Sequence, residues 1–159
     1  MRAIVTRAFG REDEARIVDR LRGKADPQGA LVALCEGRVV GHALLGPVAI
    51  RGAGGETAAF ALAPLAVDPD FQGQGVGSAL VRAGIDAAGD LGEQVIFVLG
   101  EPAFCVRFGF EPAARHGLRF PSPVPEEAFM VLELETGALG GRRGEVIYPA
   151  AFSSVGPPP

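Results

Sequence analysis

The sequence holds no tryptophan, one tyrosine, two cysteines and two histidines in 159 residues, and Lys24 is its single lysine. Each scarcity excludes something. Cys35 and Cys105 supply neither a disulfide framework nor the spacing of a metal cluster, so no metal is expected and a reducing compartment fits. No apolar run approaches the roughly twenty residues of a membrane span. The start, Met1-Arg2-Ala3-Ile4-Val5-Thr6-Arg7, lacks the sustained apolar segment and cleavage site of a signal peptide. A cytoplasmic protein with no membrane partner is the expectation. Fifteen basic residues stand against nineteen acidic ones, a formal charge of −4, and the basic ones are scattered apart from Arg142-Arg143. A nucleic-acid surface needs a basic stripe, so no nucleic acid is expected as partner. Mild acidity suits a cationic acceptor such as an amine.

What is present is enough apolar residue, 48% of the chain, to build one buried core at this length. A single domain is expected over residues 1–152, followed by a loose Pro-rich tail over 153–159. Apolar periodicity predicts helices over Met1–Phe9 and Glu12–Arg22, the second with Glu12, Asp13 and Glu14 in its first turn, where the helix dipole favours acids. Strands follow at Ala30–Cys35, Arg38–Ile50 and Thr57–Val67, with a turn at Glu36-Gly37 and a Gly-rich loop at Arg51–Gly55. Pro64 cannot donate to a sheet ladder, so its strand must carry a bulge or lie at an edge. A helix over Val76–Ala88 has Val76, Ala79, Leu80, Ala83 and Ala87 as its predicted inner face. The run Gln94–Leu99 has the length and apolarity of a strand covered on both faces. Strand, helix and strand in this order make a crossover, so the strands on either side of the helix should be parallel. A short helix at Pro102–Arg107, a strand beginning near Phe108-Gly109-Phe110, and strands at Ala128–Leu134 and Glu145–Tyr148 complete an α/β arrangement.

The chemistry gathers at Leu65-Ala66-Val67-Asp68-Pro69-Asp70-Phe71-Gln72-Gly73-Gln74-Gly75-Val76-Gly77-Ser78. A strand ends, the chain turns, and alternate glycines open a helix. Such a helix start presents unpaired N–H groups and the positive end of the dipole, and glycine lets phosphates approach the backbone. A P-loop would need a lysine before Ser78, where Gly77 stands. A dinucleotide fingerprint fits Gly73 and Gly75 but meets Ser78 at its third glycine, with Glu101 available as ribose ligand, and a turn without ligand is the remaining alternative.

Gln72-Gly73-Gln74-Gly75-Val76-Gly77 resembles the Arg/Gln-x-x-Gly-x-Gly/Ala motif of the GNAT family of N-acetyltransferases. Leu65-Ala66-Val67-Asp68-Pro69 is similar to the end of the strand that precedes that motif. Gly100-Glu101-Pro102-Ala103-Phe104-Cys105-Val106-Arg107-Phe108-Gly109-Phe110 looks like a second signature in the form of the YhbS-like subgroup, as does Gly144-Glu145-Val146-Ile147-Tyr148 with Ala151-Phe152. The resemblance spans roughly 30–152. It implies a GNAT-like mixed, mostly antiparallel central sheet flanked by helices, with the family's first strand missing because the chain begins inside the first helix. An uncovered sheet edge would then invite a homodimer.

The resemblance further implies acetyl-CoA as cofactor, with its pyrophosphate on Gln72, Gly73, Gln74, Gly75, Val76, Gly77 and Ser78. The pantetheine arm would run along the backbone of Leu65, Ala66 and Val67, beside a bulge at Pro64. The implied reaction is direct attack of an amine, on a small molecule or peptide, upon the thioester in a ternary complex. It needs a base, an oxyanion donor and an acid for the thiolate. Where relatives place a catalytic tyrosine, four residues before the Gly-Phe pair, this chain has Cys105. That departure makes a catalytically weakened coenzyme A-binding module the alternative function. Glu101 is the candidate base; Glu56, Asp68 and His116 are weaker ones, with Asp68 read as a cap of the turn, His42 as a core residue and Tyr148 as remote. The acceptor pocket is expected from the loops Asp26–Gly29 and Arg51–Gly55 and the stretch after Phe110.

Overall fold

The computed structural model describes residues 29–149. The helices expected at Met1–Phe9 and Glu12–Arg22, the missing first strand and the tail over 153–159 lie outside the described residues.

Strands β1 (Gly29–Cys35), β2 (Arg38–Gly52) and β3 (Gly55–Val67) form an antiparallel meander. The turn between β1 and β2 has positive φ at both Glu36 and Gly37, which suits the right-handed twist of a two-residue hairpin. β2 and β3 run further than expected and leave only Ala53 and Gly54 between them. Helix α1 (Val76–Asp90) then crosses to β4 (Val95–Leu99), which pairs parallel with β3, as the crossover required. The short helix α2 (Pro102–Cys105) continues as a 3-10 turn, Val106–Phe108. Three more short strands follow: β5 (Glu111–Pro112), β6 (Leu118–Arg119), which no sequence signal announced, and β7 (Phe129–Glu133). β8 (Gly144–Ile147) is the last. The sheet order is β5-β7-β4-β3-β2-β8-β6, with β1 on β2. Pairing is antiparallel except at β3–β4 and β6–β8.

Alternation divides the core in two. Leu45, Phe60, Leu62, Ile96, Val98 and Met130 pack on the α1 side. Val48, Ala59, Ala61, Phe97, Phe129 and Val146 pack on the other. The α1 face differs from its expected form. Leu80, Val81, Gly84 and Ala88 are buried, whereas Ala79 and Ala83 are exposed. Alanine is small enough to occupy either face, and the pattern missed that Gly84 is the closest approach. A Cβ on it would lie 2.8 Å from Leu62 Cδ1, so the helix rides low on β3. Helix α1 also runs past Ala88 to Asp90, because Gly92, at φ 80°, is the residue that turns the chain out.

Candidate site at a splayed strand pair

Pro64 sits at a bulge, joined to Ala63 by a cis peptide bond. Ala43 faces Leu65 and Leu45 faces Leu62, so Ala63 and Pro64 together oppose the single residue Leu44. The extra residue inverts the alternation of β3. Phe60 and Leu62 face the α1 side before the bulge, and Leu65 and Val67 face it afterwards. It also parts β3 from β4. The parallel ladder holds only Phe60 with Ile96 and Ala61 with Phe97. Beyond that, β4 turns its pairing to β7 alone, Val98 with Met130 and Leu99 with Phe129. Leu65, Ala66 and Val67 therefore pair with β2 on one edge and with no described strand on the other. The result is a wedge-shaped opening between the carboxyl ends of two parallel strands, edged by backbone groups that no described strand pairs.

The glycine turn lies at the mouth of the wedge. Asp68 is buried and ends β3 firmly: its amide donates to the Val40 carbonyl at 2.8 Å, its Oδ1 accepts from the Asp70 amide at 3.1 Å, and its Oδ2 accepts from Arg38 at 3.0 Å. It caps the 3-10 turn Pro69–Phe71, as its sequence position before Pro69 suggested. Gln72 Nε2 donates to the Val67 carbonyl at 3.2 Å, and Gln74 Nε2 donates to the Asp70 carbonyl at 3.2 Å. Both glutamines thus tie the turn to itself. Gly73 and Gly75 have φ of 71° and 87°, and a Cβ on either would meet nothing within 4 Å. They are glycines for backbone conformation, and the space above them is open. The first amide engaged by α1 is that of Ala79, bonded to the Gly75 carbonyl at 3.0 Å. The amides of Val76, Gly77 and Ser78 come before it and have no carbonyl within the helix. Gly77 is packed instead: a Cβ there would lie 3.5 Å from Phe104 Cζ, so α2 leans on the start of α1.

Glu101 is the exposed residue that caps α2, directly after the open end of β4. Its carbonyl accepts from the amides of Phe104 and Cys105 at 3.1 and 3.0 Å. Cys105 is 7% exposed, within the α1-side core. Burial, and then the Glu101 carboxylate, push its thiol up to about 11, so it holds its proton at neutral pH. Its sulfur would lie 3.4 Å from a Cβ on Gly100, the residue that follows β4.

The other candidates stand apart. Glu56 is at the far end of β3, in an ion pair with Arg51 at 2.7 Å. His42 is fully buried in β2, opposite Ala66. His116 is not a free loop residue: its Nε2 bonds Glu111 Oε1 at 2.6 Å. Tyr148 belongs to the opposite core, edge-on to Phe120 at 5.2 Å, and burial raises its hydroxyl above the usual range. The loop Arg51–Gly55, expected beside the acceptor, caps the β2–β3 hairpin. About 30 Å of extended strand separates Gly55 from the bulge. Charged loops look alike in sequence; the length of β3 decides which end they occupy. Asp26–Pro27-Gln28 lies outside the described residues. The stretch after Phe110 does cover the sheet, with Phe120 against Phe129 at 5.4 Å. No signal had marked Phe120, since an isolated aromatic in a Pro-rich loop has no period.

Comparison with known proteins agrees with this geometry. The profile of the Acetyltransferase (GNAT) family matches residues 1–110. The chain is 39% identical over 152 residues to the uncharacterized N-acetyltransferase YhbS of Escherichia coli K12, across 95% of this chain and 90% of that one. YjhQ of the same strain, also an uncharacterized N-acetyltransferase, is 42% identical over 130 residues, 80% of this chain and 72% of its own length. The crystal structure of E. coli YhbS in complex with CoA matches with a TM-score of 0.90 at 38% identity, over 98% of this chain and 86% of that one. A GNAT acetyltransferase from Brucella melitensis in complex with acetyl-CoA matches at 0.77 and 30% identity, over 95% and 88%.

Proposed function

The chain belongs to the GNAT family of acetyltransferases, and we propose that it moves the acetyl group of acetyl-CoA to a primary amine of a small molecule, peptide or protein. The observation that carries this reading is the wedge between β3 and β4, opened by the bulge at Pro64 and ending on a glycine turn whose first helical amides have no carbonyl partner within the helix. An extended amide-bearing arm fits along Leu65–Val67 as an added strand, and a pyrophosphate fits over Gly73–Ser78. The relatives crystallised with CoA and acetyl-CoA support the same ligand.

In this reading a neutral amine attacks the thioester carbonyl directly, within a ternary complex. Backbone N–H groups of β3 at the bulge stabilise the oxyanion, at no reorganisation cost because the sheet already holds them. Glu101, exposed at the end of β4, takes the proton of the incoming ammonium, directly or through water. Cys105 stands where relatives have a phenol. Sealed in the core with its thiol raised to about 11, it is a reluctant donor, and its place in the α1-side core cluster gives it a structural task. That favours, as a second reading, slow turnover or a coenzyme-binding module. A cytoplasmic setting suits a reduced thiol pair and an amine acceptor; among the described residues no helix is long and apolar enough to cross a membrane. Self-association through β1, which exposes Val32 and Leu34, is part of the proposal, and light scattering that finds only monomer at micromolar concentration removes it.

Calorimetric titration with acetyl-CoA, with NAD in parallel, tests the core of the reading. Binding of acetyl-CoA alone supports it and leads to an amine screen that separates enzyme from sensor. Binding of NAD instead, or of neither, overturns it.

A further inference from the structure

The pair Arg142-Arg143 breaks the scatter of basic residues, and the wedge makes no use of it. The two side chains part. Arg142 Nη1 reaches the Ala58 carbonyl of β3 at 3.5 Å, whereas Arg143 lines a cleft at the opposite end of β3 from the wedge. The cleft has a volume of about 500 Å³, within the range of small-molecule sites. Three segments distant in sequence build it: the β2–β3 hairpin with Arg51 and Ala53, β6 with Arg119 and the preceding Gly117, and Arg143 with Glu145 at the start of β8. Their backbones hold one another. The Gly144 amide donates to the Gly117 carbonyl at 3.0 Å. A Cβ on Gly52 would collide with the Arg143 carbonyl oxygen, and one on Gly144 with that of Arg51. Strand pairing and glycine contacts therefore set the walls.

Charge selects the ligand. In register across the sheet, Glu56 of β3, Arg51 of β2, Glu145 of β8 and Arg119 of β6 form one row of alternating sign. Arg51 pairs with Glu56 at 2.7 Å, while Arg119 Nε stands 3.7 Å from Glu145 Oε2, beyond hydrogen-bond length. Arg143 adds a further cation beside that row. A Cβ on Gly117 would lie 3.3 Å from Arg143 Cγ and 3.4 Å from its Cδ, so the absent side chain lets the arginine stem lie flat on the backbone. No carboxylate among the described residues is within ion-pair distance of Arg143. The lining thus sets three guanidinium groups against the one carboxylate of Glu145, a positive excess on a chain whose formal charge is −4. A guanidinium fork pairs with two oxygens of a phosphate or a carboxylate at once. We propose that this cleft binds a small dianion, a phosphate or a dicarboxylate, through Arg143, Arg119 and Arg51. Nothing in that site depends on what fills the wedge.

The test is amide NMR of the full chain, titrated with inorganic phosphate and, in a second arm, with succinate. Saturating shifts are expected at Ala53, Gly117 and Gly144, with a Kd that rises as sodium chloride is added. The arm with the lower Kd tells a phosphate from a dicarboxylate ligand. Arg143→Gln and Arg119→Gln should each raise that Kd about tenfold or more, the value of a charge-assisted contact. Arg82→Gln, on α1 and outside the cleft, is the control for loss of a guanidinium and should leave the Kd unchanged. Both cleft arginines are exposed, so the variants are expected to fold, which circular dichroism verifies. Shifts confined to Gly73–Gly77 would put the anion at the mouth of the wedge and overturn the site. So would the lack of a saturable shift with either anion, or a Kd unchanged in both folded variants.

Discussion

Replacing Gly75 by glutamate separates ligand binding from folding, because the two effects have different sizes and different causes. Gly75 is the N-cap of α1 at φ 87°, and nothing lies within 4 Å of a Cβ built on it. The substitution therefore meets no steric block in the folded protein. It pays for the left-handed conformation, about 1–2 kcal/mol. A carboxylate at a helix N-terminus returns about 0.3–1 kcal/mol. Net destabilisation is about 1 kcal/mol, a fall in Tm of roughly 2–4 °C. The same carboxylate projects into the space proposed for the pyrophosphate. At about 4 Å and an effective dielectric near 20, two like charges repel by about 4 kcal/mol, close to a thousandfold in Kd. Gly75→Ala carries the backbone penalty without the charge. The glutamate variant should thus melt at or above the alanine variant yet bind acetyl-CoA at least about thirtyfold more weakly, by calorimetry. Affinity of the glutamate variant within threefold of wild type would refute placement of the phosphates over this turn.

Cys105→Ala should lower stability more than it lowers turnover per bound cofactor; a large fall in kcat with unchanged acetyl-CoA affinity would make the thiol an acid after all. The same residue has a pH signature. Its folded value of about 11 lies above the usual 9.0, so its contribution is complete below pH 9 and is lost as pH rises towards 11. Denaturant titrations should show stability falling over that window, by about 1–2 kcal/mol more in wild type than in Cys105→Ala; identical slopes would refute the burial of this thiol. Asp68→Ala removes the cap of the 3-10 turn and the partner of Arg38, and should cost about 1–2 kcal/mol in chemical denaturation. Gly144→Ala should be the harsher change, because φ is 130° and the added Cβ collides with the Arg51 carbonyl oxygen. About 2 kcal/mol or more is expected, and a Tm within 2 °C of wild type would show that β8 does not approach β2 as described.

Those two glycines, Gly75 and Gly144, mark the boundary of what sequence reading could reach. Gly75 stands in a local pattern, glycine at every second position before an amphipathic run, and its conformation follows from neighbours within a few residues. Gly144 has no such context. Its necessity comes from Arg51, which lies 93 positions away in the chain. Pro64 falls between them: a missing N–H predicts a bulge, but only the register of Ala43 and Leu45 against Leu65 and Leu62 shows where it lies. Likewise Cys105 was conspicuous as a departure from a motif, while its raised thiol depends on burial in a core cluster drawn from several other elements.

By itself the sequence determined the order of strands and helices over the described region apart from β6, the crossover between β3 and β4, and the glycine turn, because periodicity, turn residues and helix starts are short-range properties. It also carried the family resemblance, which rests on the order of such local pieces. Tertiary structure decided the rest: which face of α1 is buried, where the sheet parts, that the Arg51–Gly55 loop sits far from the opening, and that Arg82 and Arg107 both lie over the Phe108 ring. Each of these depends on contacts between residues distant in the chain, and a pattern read along one dimension has no term for them.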